Sequence, residues 1–175
     1  ENGIPTFDAS DDAVRALALL TRATFSESHP PVDVPAAQHP SLDRAVEEGR
    51  HLLEPESLNL LSDNGVAVTP HVLARTREEA QRAAMEMNSP VALKVVSPQV
   101  IHKTDVGGVK LNLLGREAVG QGYDGLVNDV KRAKAGANIH GVLVVAMAEP
   151  GTELIAGMVR DAQLAATIMF GMGGV

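Results

Sequence analysis

The chain contains no cysteine and no tryptophan in 175 residues. The missing cysteine excludes disulfides, thiolate catalysis and cysteine-ligated zinc together. It fits a reducing compartment, and a cytoplasmic location is expected. Aromatic residues make up only 2 % of the chain, so a core must be built from Val, Leu, Ala, Ile and Met. Positive charge is also scarce. The net charge of −7 argues against a general binder of nucleic acid or of anionic membranes, and neither partner is expected. An acidic protein can still hold phosphate through local amides and one or two lysines. No apolar run reaches the ~18 residues of a membrane helix. The start, Glu1-Asn2-Gly3-Ile4-Pro5, has no basic region followed by an apolar stretch, so no signal peptide is visible.

What is present suffices for one medium domain or two small ones, with 45 % hydrophobic residues. Residues 1–25 read as the end of a preceding domain. Ile4-Pro5-Thr6-Phe7 suggests a short strand, and Ser10 an N-cap for a helix with Val14, Leu17 and Leu20/Thr21 on one face. Residues 26–40 carry four prolines (Pro30, Pro31, Pro35 and Pro40), which favours an extended linker and a domain boundary. From residue 41 to 175 the pattern is regular. A helix is expected from Ser41 to about residue 53. A second follows from Pro55 to Ser62, with Gly65 suited to end it. Val66–Pro70 reads as a strand, with His71–Ala74 as its continuation. Thr76-Arg77-Glu78-Glu79 is a capping box for a helix to about Asn88. Strands are expected at 91–96, 109–113, 140–147, 153–160 and 166–170, with a helix over 116–135 that Gly120, Gly122 and Gly125 weaken. The chain lacks a starting Met and ends on glycines directly after an apolar strand, so it is expected to be a piece of a longer protein.

The chemistry concentrates between Val91 and Leu113. Lys94 lies inside an apolar strand, where an ammonium costs free energy unless it meets an anion or water. His102, Lys103, Thr104 and the Gly107-Gly108 pair follow. Paired glycines let backbone amides approach phosphate closely, and lysines add charge with little geometric demand. Strand lysine, basic turn and glycine loop together read as a phosphate cradle on a hairpin. They fit equally a glycine-turned hairpin whose lysine snorkels to solvent. Walker and Rossmann glycine patterns are both missing. His29, His39, His51, His71 and His140 lack metal-ligand spacing and read as surface or structural, so no metal ligand is assigned.

Residues Pro90-Val91-Ala92-Leu93-Lys94-Val95-Val96-Ser97-Pro98, through Ile101-His102-Lys103-Thr104-Asp105-Val106-Gly107-Gly108-Val109-Lys110, closely resemble the nucleotide-loop motif of NDP-forming acyl-CoA synthetases, relatives of succinyl-CoA synthetase. A second stretch matches in the same order: Gly141–Val144 with Met147, Glu153-Leu154-Ile155 with Gly157, Arg160-Asp161, and Met169–Gly174. In that family the second stretch is the hinge between the two ATP-grasp lobes and the start of the second lobe. The likeness is good over 52–175. Residues 1–21 resemble, more weakly, the end of the CoA-ligase-like domain of fused members.

The resemblance implies an α/β fold: an incomplete ATP-grasp nucleotide-binding lobe preceded by a remnant of a flavodoxin-like CoA-ligase domain. It implies that Lys94 contacts nucleotide phosphates, with Lys103 beside it, and that Gly107 and Gly108 belong to a loop closing over them. Val144, Val145 and Met147 would meet the adenine edge through backbone groups, and Glu153 would lie near the ribose or lobe junction. His102 would relay a phosphoryl group from a phosphohistidine on a CoA-binding domain or subunit to ADP, a role that suits neutral imidazole. ATP/ADP, CoA and Mg²⁺ are implied, the Mg²⁺ ligands lying beyond Val175, and a homo-oligomer is expected. The whole protein would interconvert acyl-CoA, ADP and phosphate with carboxylic acid, CoA and ATP. Val145-Ala146 departs from the Gln-Pro that commonly precedes the hinge Met, which bears on base preference. Two other readings stay open: a regulatory synthetase-like domain of a protein lysine acetyltransferase, and a stand-alone nucleotide-binding subunit.

Overall fold

The computed structural model describes residues 6, 9–25, 39–161 and 165–173. The chain divides into two units, 1–37 and 38–175. In the first, helix α1 spans Ser10–Phe25 and starts on Ser10 itself. Val14, Leu17 and Leu20 are exposed on it. The strand expected at Ile4–Phe7 and the linker from 26 to 38 fall outside the described residues, Thr6 apart.

The second unit opens with α2, Pro40–Glu47, so Pro40 starts a helix instead of ending a linker. Proline suits the first helical turn, where its missing N–H has no intrahelical partner to lose. The His39 ring caps it, accepting from the Ser41 N–H at 3.2 Å. α2 ends well before residue 53. Gly49 takes a left-handed φ of +61°. Its N–H donates to Val46 O at 3.1 Å, and Arg50 N–H donates to Ala45 O at 3.0 Å. This is a Schellman stop. α3 follows at Glu54–Asp63.

Strand β1 is His71–Ala74 alone. Val66–Pro70, expected as strand, is irregular. Pro70 has no N–H to donate to a ladder. Its carbonyl accepts from Ala146 N–H at 2.9 Å, and pairing starts one residue later with His71 opposite Val145. α4, Arg77–Met87, is capped by Thr76, whose side chain accepts from Glu79 N–H at 3.2 Å. The reciprocal half of the capping box is shifted: the Glu79 carboxylate accepts from Arg75 N–H at 2.6 Å, not from Thr76.

β2 (Val91–Val96), a 3₁₀ turn (Thr104–Val106), β3 (Val109–Leu113), α5 (Arg116–Ala133) and β4 (Gly141–Ala146) complete a four-stranded sheet of order β1-β4-β2-β3. Every pairing in it is antiparallel. Alternation along the strands splits the core. Val91, Leu93 and Val95 join Val142, Val144 and Ala74 against Ala80, Ala83 and Ala84 of α4 and Val119, Leu126 and Val130 of α5. Burying each large side chain stabilises by about 1.5–3 kcal/mol. On the opposite face Val96, Leu143 and Val145 pack with Leu53 and Leu58. Lys94 belongs to this second face.

Two α5 glycines have a packing reason. A Cβ at Gly122 would lie 2.6 Å from Leu113 Cδ1, and one at Gly120 would lie 2.5 Å from Gln81 Nε2. At both positions the helix comes close to its neighbours, and an added Cβ would have to displace the ends of the Leu113, Gln81 or Arg77 side chains. β5 (Leu154–Asp161) and β6 (Ala165–Met172) form a separate antiparallel pair, registered from Leu154 opposite Met172 to Asp161 opposite Ala165.

Candidate phosphate and nucleotide site

Lys94 projects from the fourth position of β2, on the sheet face turned towards α3. An ammonium there needs an anion, and the structure supplies Glu54, the first residue of α3. Lys94 Nζ donates to Glu54 Oε1 at 2.6 Å. Lys103 Nζ lies 3.1 Å from the other oxygen, Oε2. Two lysines that the sequence singled out therefore meet on one carboxylate that it did not. The signal was present in Leu53-Glu54-Pro55-Glu56, two acids around a proline at a helix start, where only one acid is needed as a cap. Burial pushes the Glu54 carboxyl up, but hydrogen bonds and charge from Lys94 and Lys103 prevail and hold it below the usual carboxylate range.

The cap is Glu56. Its carboxylate accepts from Leu53 N–H at 2.8 Å and from both terminal nitrogens of Arg50, at 2.7 and 2.9 Å. Arg50 also donates to His51 O at 3.0 Å. This lock fixes the turn into α3 and so aims Glu54 at the lysines. The Arg50 hydrogen bond is the main force lowering the Glu56 pKa, against the opposing effect of burial.

His102 is exposed in the turn between β2 and the 3₁₀ segment. Its imidazole has no hydrogen bond or ion pair among the described residues. It stands one residue from Lys103 and is open to a ligand. Gly107 adopts a left-handed φ of +67° and donates its N–H to Thr104 O at 3.1 Å. Gly108 donates to Lys103 O at 2.8 Å. A Cβ on Gly108 would sit 2.6 Å from Val95 Cγ1 and 2.9 Å from Lys103 O. Both glycine amides are engaged inside the turn in this state. Their use on a phosphate requires the turn to open.

Lys110 lies on the other face. It is opposite Leu93 in the ladder and pairs with Asp129 of α5 at 2.8 Å. Hydrogen bonding by Lys110 holds the Asp129 carboxyl below its usual range.

Val144 and Val145 sit in a strand paired on both edges, opposite Val72 and His71 on one side and Leu93 and Ala92 on the other. Their backbone groups are taken up by the ladder. Ala146 N–H goes to Pro70 O, and Met147 N–H to Pro90 O at 2.8 Å. The first backbone available to a base edge is thus that following the Met147 amide. There a cleft of about 870 Å³ opens between Ser89-Pro90, Asn112 and the run Met147–Glu153. Ser89 Oγ is buried with no partner among the described residues, and Asn112 has a left-handed φ of +55°. Neither residue was anticipated. Glu153 is exposed at the cleft edge, with its carbonyl accepting from Gly173 N–H at 2.9 Å. Strands rise about 3.3 Å per residue. Lys94 is thus ~13 Å along β2 from the cleft, a span that suits base at one end and phosphates at the other.

Of the remaining histidines, His39 contacts Asp63 at 3.1 Å, His71 contacts Thr69 O and Asn59, and His140 contacts Asn138. No group of three metal-ligating side chains occurs among the described residues. His29 is outside them.

A family profile described as an ATP-grasp domain matches residues 44–175. The chain belongs to the ATP-grasp family. It is 39 % identical over 181 residues to "Acetate--CoA ligase [ADP-forming] I" of Archaeoglobus fulgidus, covering 99 % of this chain and 26 % of that protein. It is 38 % identical over 134 residues to the beta subunit of "Acetate--CoA ligase [ADP-forming] I" of Pyrococcus furiosus, covering 77 % of this chain and 58 % of that subunit. Among solved structures, it matches the "dinucleotide forming Acetyl-coenzyme A synthetase 1" of Ca. Korarchaeum cryptofilum in complex with coenzyme A and Ca-AMPCP. That match has a TM-score of 0.73 and 48 % identity, covering 76 % of this chain and 58 % of the solved one. The Se-Met form of the same synthetase is bound to Mg-AMPPCP, with its "phosphohistidine segment pointing towards nucleotide binding site". It matches at a TM-score of 0.62 and 43 % identity, with 77 % and 56 % coverage. The ATP-grasp chain thus spans about a quarter of the Archaeoglobus fulgidus relative and somewhat over half of the others.

Proposed function

We propose that this ATP-grasp chain is the nucleotide-handling part of an ADP-forming acyl-CoA synthetase. The whole protein would interconvert acyl-CoA, ADP and phosphate with carboxylic acid, CoA and ATP, by way of an acyl phosphate and phosphohistidine. The observation that carries this reading is the convergence of Lys94 and Lys103 on one anion beside an exposed imidazole without partners among the described residues. In this reading Lys94 and Lys103 hold the nucleotide's terminal phosphates, and Gly107 and Gly108 form the turn that carries Lys103 over them. The cleft at Met147–Glu153 receives the base and ribose, with the backbone after the Met147 amide replacing Val144 and Val145 as the base contact.

His102 is the proposed relay. A ring nitrogen attacks the phosphorus of a donor phosphohistidine on a CoA-binding domain or subunit. One N–P bond forms as the other breaks, and the donor imidazole leaves with the electron pair. A β-phosphate oxygen of ADP then attacks the same phosphorus. An O–P bond forms, the N–P bond breaks, and His102 regains its lone pair. Phosphoryl transfer asks chiefly for positioning and charge neutralisation, which the two lysines supply.

One solved relative holds its nucleotide analogue with Mg²⁺. The described residues offer no metal cluster, and the ligands for such an ion are proposed to lie outside residues 1–175. The Archaeoglobus fulgidus relative aligns with nearly the whole chain, residues 1–40 included. That supports residues 1–25 as the end of a CoA-ligase-like domain joined through 26–40, in preference to a stand-alone subunit. Among the described residues, no helix is long and apolar enough to cross a membrane. A cytoplasmic homo-oligomer is proposed. No observation favours the acetyltransferase reading.

The test uses the intact protein with ATP radiolabelled in its γ-phosphate. Acid-labile, base-stable label is expected on the wild type. Lys94→Ala should lose it, and so should His102→Ala, because label reaches the donor histidine only by way of His102. ATP binding without any label would sink the relay.

A further inference from the structure

We propose that Glu54 is a built-in competitor for the nucleotide's phosphates: its carboxylate occupies the seat between Lys94 and Lys103 and must leave before a phosphate can enter. This deepens the nucleotide reading and rests on it. The geometry is that of an anion site already filled. One oxygen faces each ammonium, at 2.6 and 3.1 Å. Among the described residues no other carboxylate lies within ion-pair distance of either lysine. The three side chains keep a quarter to a third of their surface exposed, so the pair is open to exchange from solvent.

Two features distinguish an exchangeable pair from a structural clamp. The start of α3 is held without Glu54, by Arg50 on Glu56 and by Glu56 on the Leu53 amide. Releasing Glu54 therefore leaves the helix in place. A cavity of about 200 Å³ adjoins the carboxylate, lined in part by His51, Ser97 and Lys103, and gives the displaced side chain somewhere to go. Charge sets the direction of exchange. Two ammonium groups face one negative charge, so a terminal phosphate carrying more than one outcompetes the carboxylate. Glu54 then lowers affinity for every phosphate ligand by the free energy of breaking its own two contacts.

The test is calorimetric titration of ADP and of adenosine into the intact wild type, Glu54→Gln, Glu54→Asp, Lys94→Ala and Lys94→Ala/Glu54→Gln, with thermal unfolding of each. Glu54→Gln should bind ADP about tenfold more tightly, equivalent to about 1.4 kcal/mol. Glu54→Asp, too short to bridge both lysines, should gain less. Adenosine affinity should not move, and the gain should be smaller in the double variant, where only the Lys103 contact is relieved. A folded Glu54→Gln or Glu54→Asp that binds ADP no more tightly than a binding-competent wild type overturns the proposal. A wild type that binds no ADP at all overturns the nucleotide reading itself, and this inference with it.

Discussion

Lys94 and Glu54, forty positions apart in the chain, form an ion pair of 2.6 Å that joins the middle of β2 to the first residue of α3. The pair lies on the sheet face opposite the α4–α5 layer. It offsets the cost of a lysine in an apolar strand by giving the ammonium an anion. A charge-assisted hydrogen bond contributes about 1.5–3 kcal/mol when shielded and less when partly wet. Lys94→Ala should lower stability by about 1 kcal/mol, read as a shifted urea midpoint with an unchanged slope. A loss above about 3 kcal/mol would mean the lysine is structural first.

Arg50 should contribute more to stability than either site lysine. Its side chain is 10 % exposed and that of Glu56 14 %, and their two hydrogen bonds close the turn into α3. Arg50→Ala strands a half-buried carboxylate and should cost about 2–3 kcal/mol. Arg50→Lys should recover only part of this, because an ammonium lacks the fork. Equal unfolding midpoints for Arg50→Lys and wild type would contradict the bidentate account.

Two glycines should respond oppositely to alanine. Gly108 is wedged between Val95 and the Lys103 carbonyl, so Gly108→Ala forces backbone apart and should destabilise by about 1–3 kcal/mol. Gly125 sits inside α5, and a Cβ added there would meet nothing within 4 Å. Gly125→Ala should stabilise by up to about 1 kcal/mol through helix propensity. Differential scanning calorimetry of both variants checks the contrast.

Acid should weaken the fold through Glu54 and Glu56, whose carboxyls are held below their ordinary value. A depressed pKa contributes stability that is complete above the unfolded value of about 4.3 and is lost as pH falls through the folded value. The loss should therefore fall below about pH 4, not near neutrality. Glu54→Gln and Glu56→Gln should each flatten the stability–pH curve in that window. An unchanged acid limb in both variants would show that the carboxylates are not linked to folding.

The order of elements from Pro55 onward was legible in the sequence because local rules agreed there. Thr76 is a good cap, Val91–Val96 is uniformly apolar, and Val109–Leu113 alternates. The misreadings occurred where a long-range or backbone constraint overrode local pattern. The apolar spacing at Leu52 and Leu53 continued the α2 pattern, but Gly49 had already stopped the helix. Val66–Val68 looked like strand, yet Pro70 delays pairing until His71. At the site, Lys94 and His102 stood out as residue types out of place. Glu54 did not, since an acid at a helix start is ordinary and only the fold brings it to β2. Val144 and Val145 are paired on both edges of β4, a property of the sheet that is invisible in one strand's sequence.

Lys94 is proposed to belong to a phosphate seat and not merely to a salt bridge. The most direct test of this role is ADP titration of the intact protein with Lys94→Ala beside Lys110→Ala, a lysine on the opposite face of the same hairpin and paired with Asp129. Lys94→Ala should lose at least tenfold in ADP affinity, about 1.4 kcal/mol or more, and Lys110→Ala should change it little. Equal affinities in wild type and a folded Lys94→Ala would contradict the proposed role.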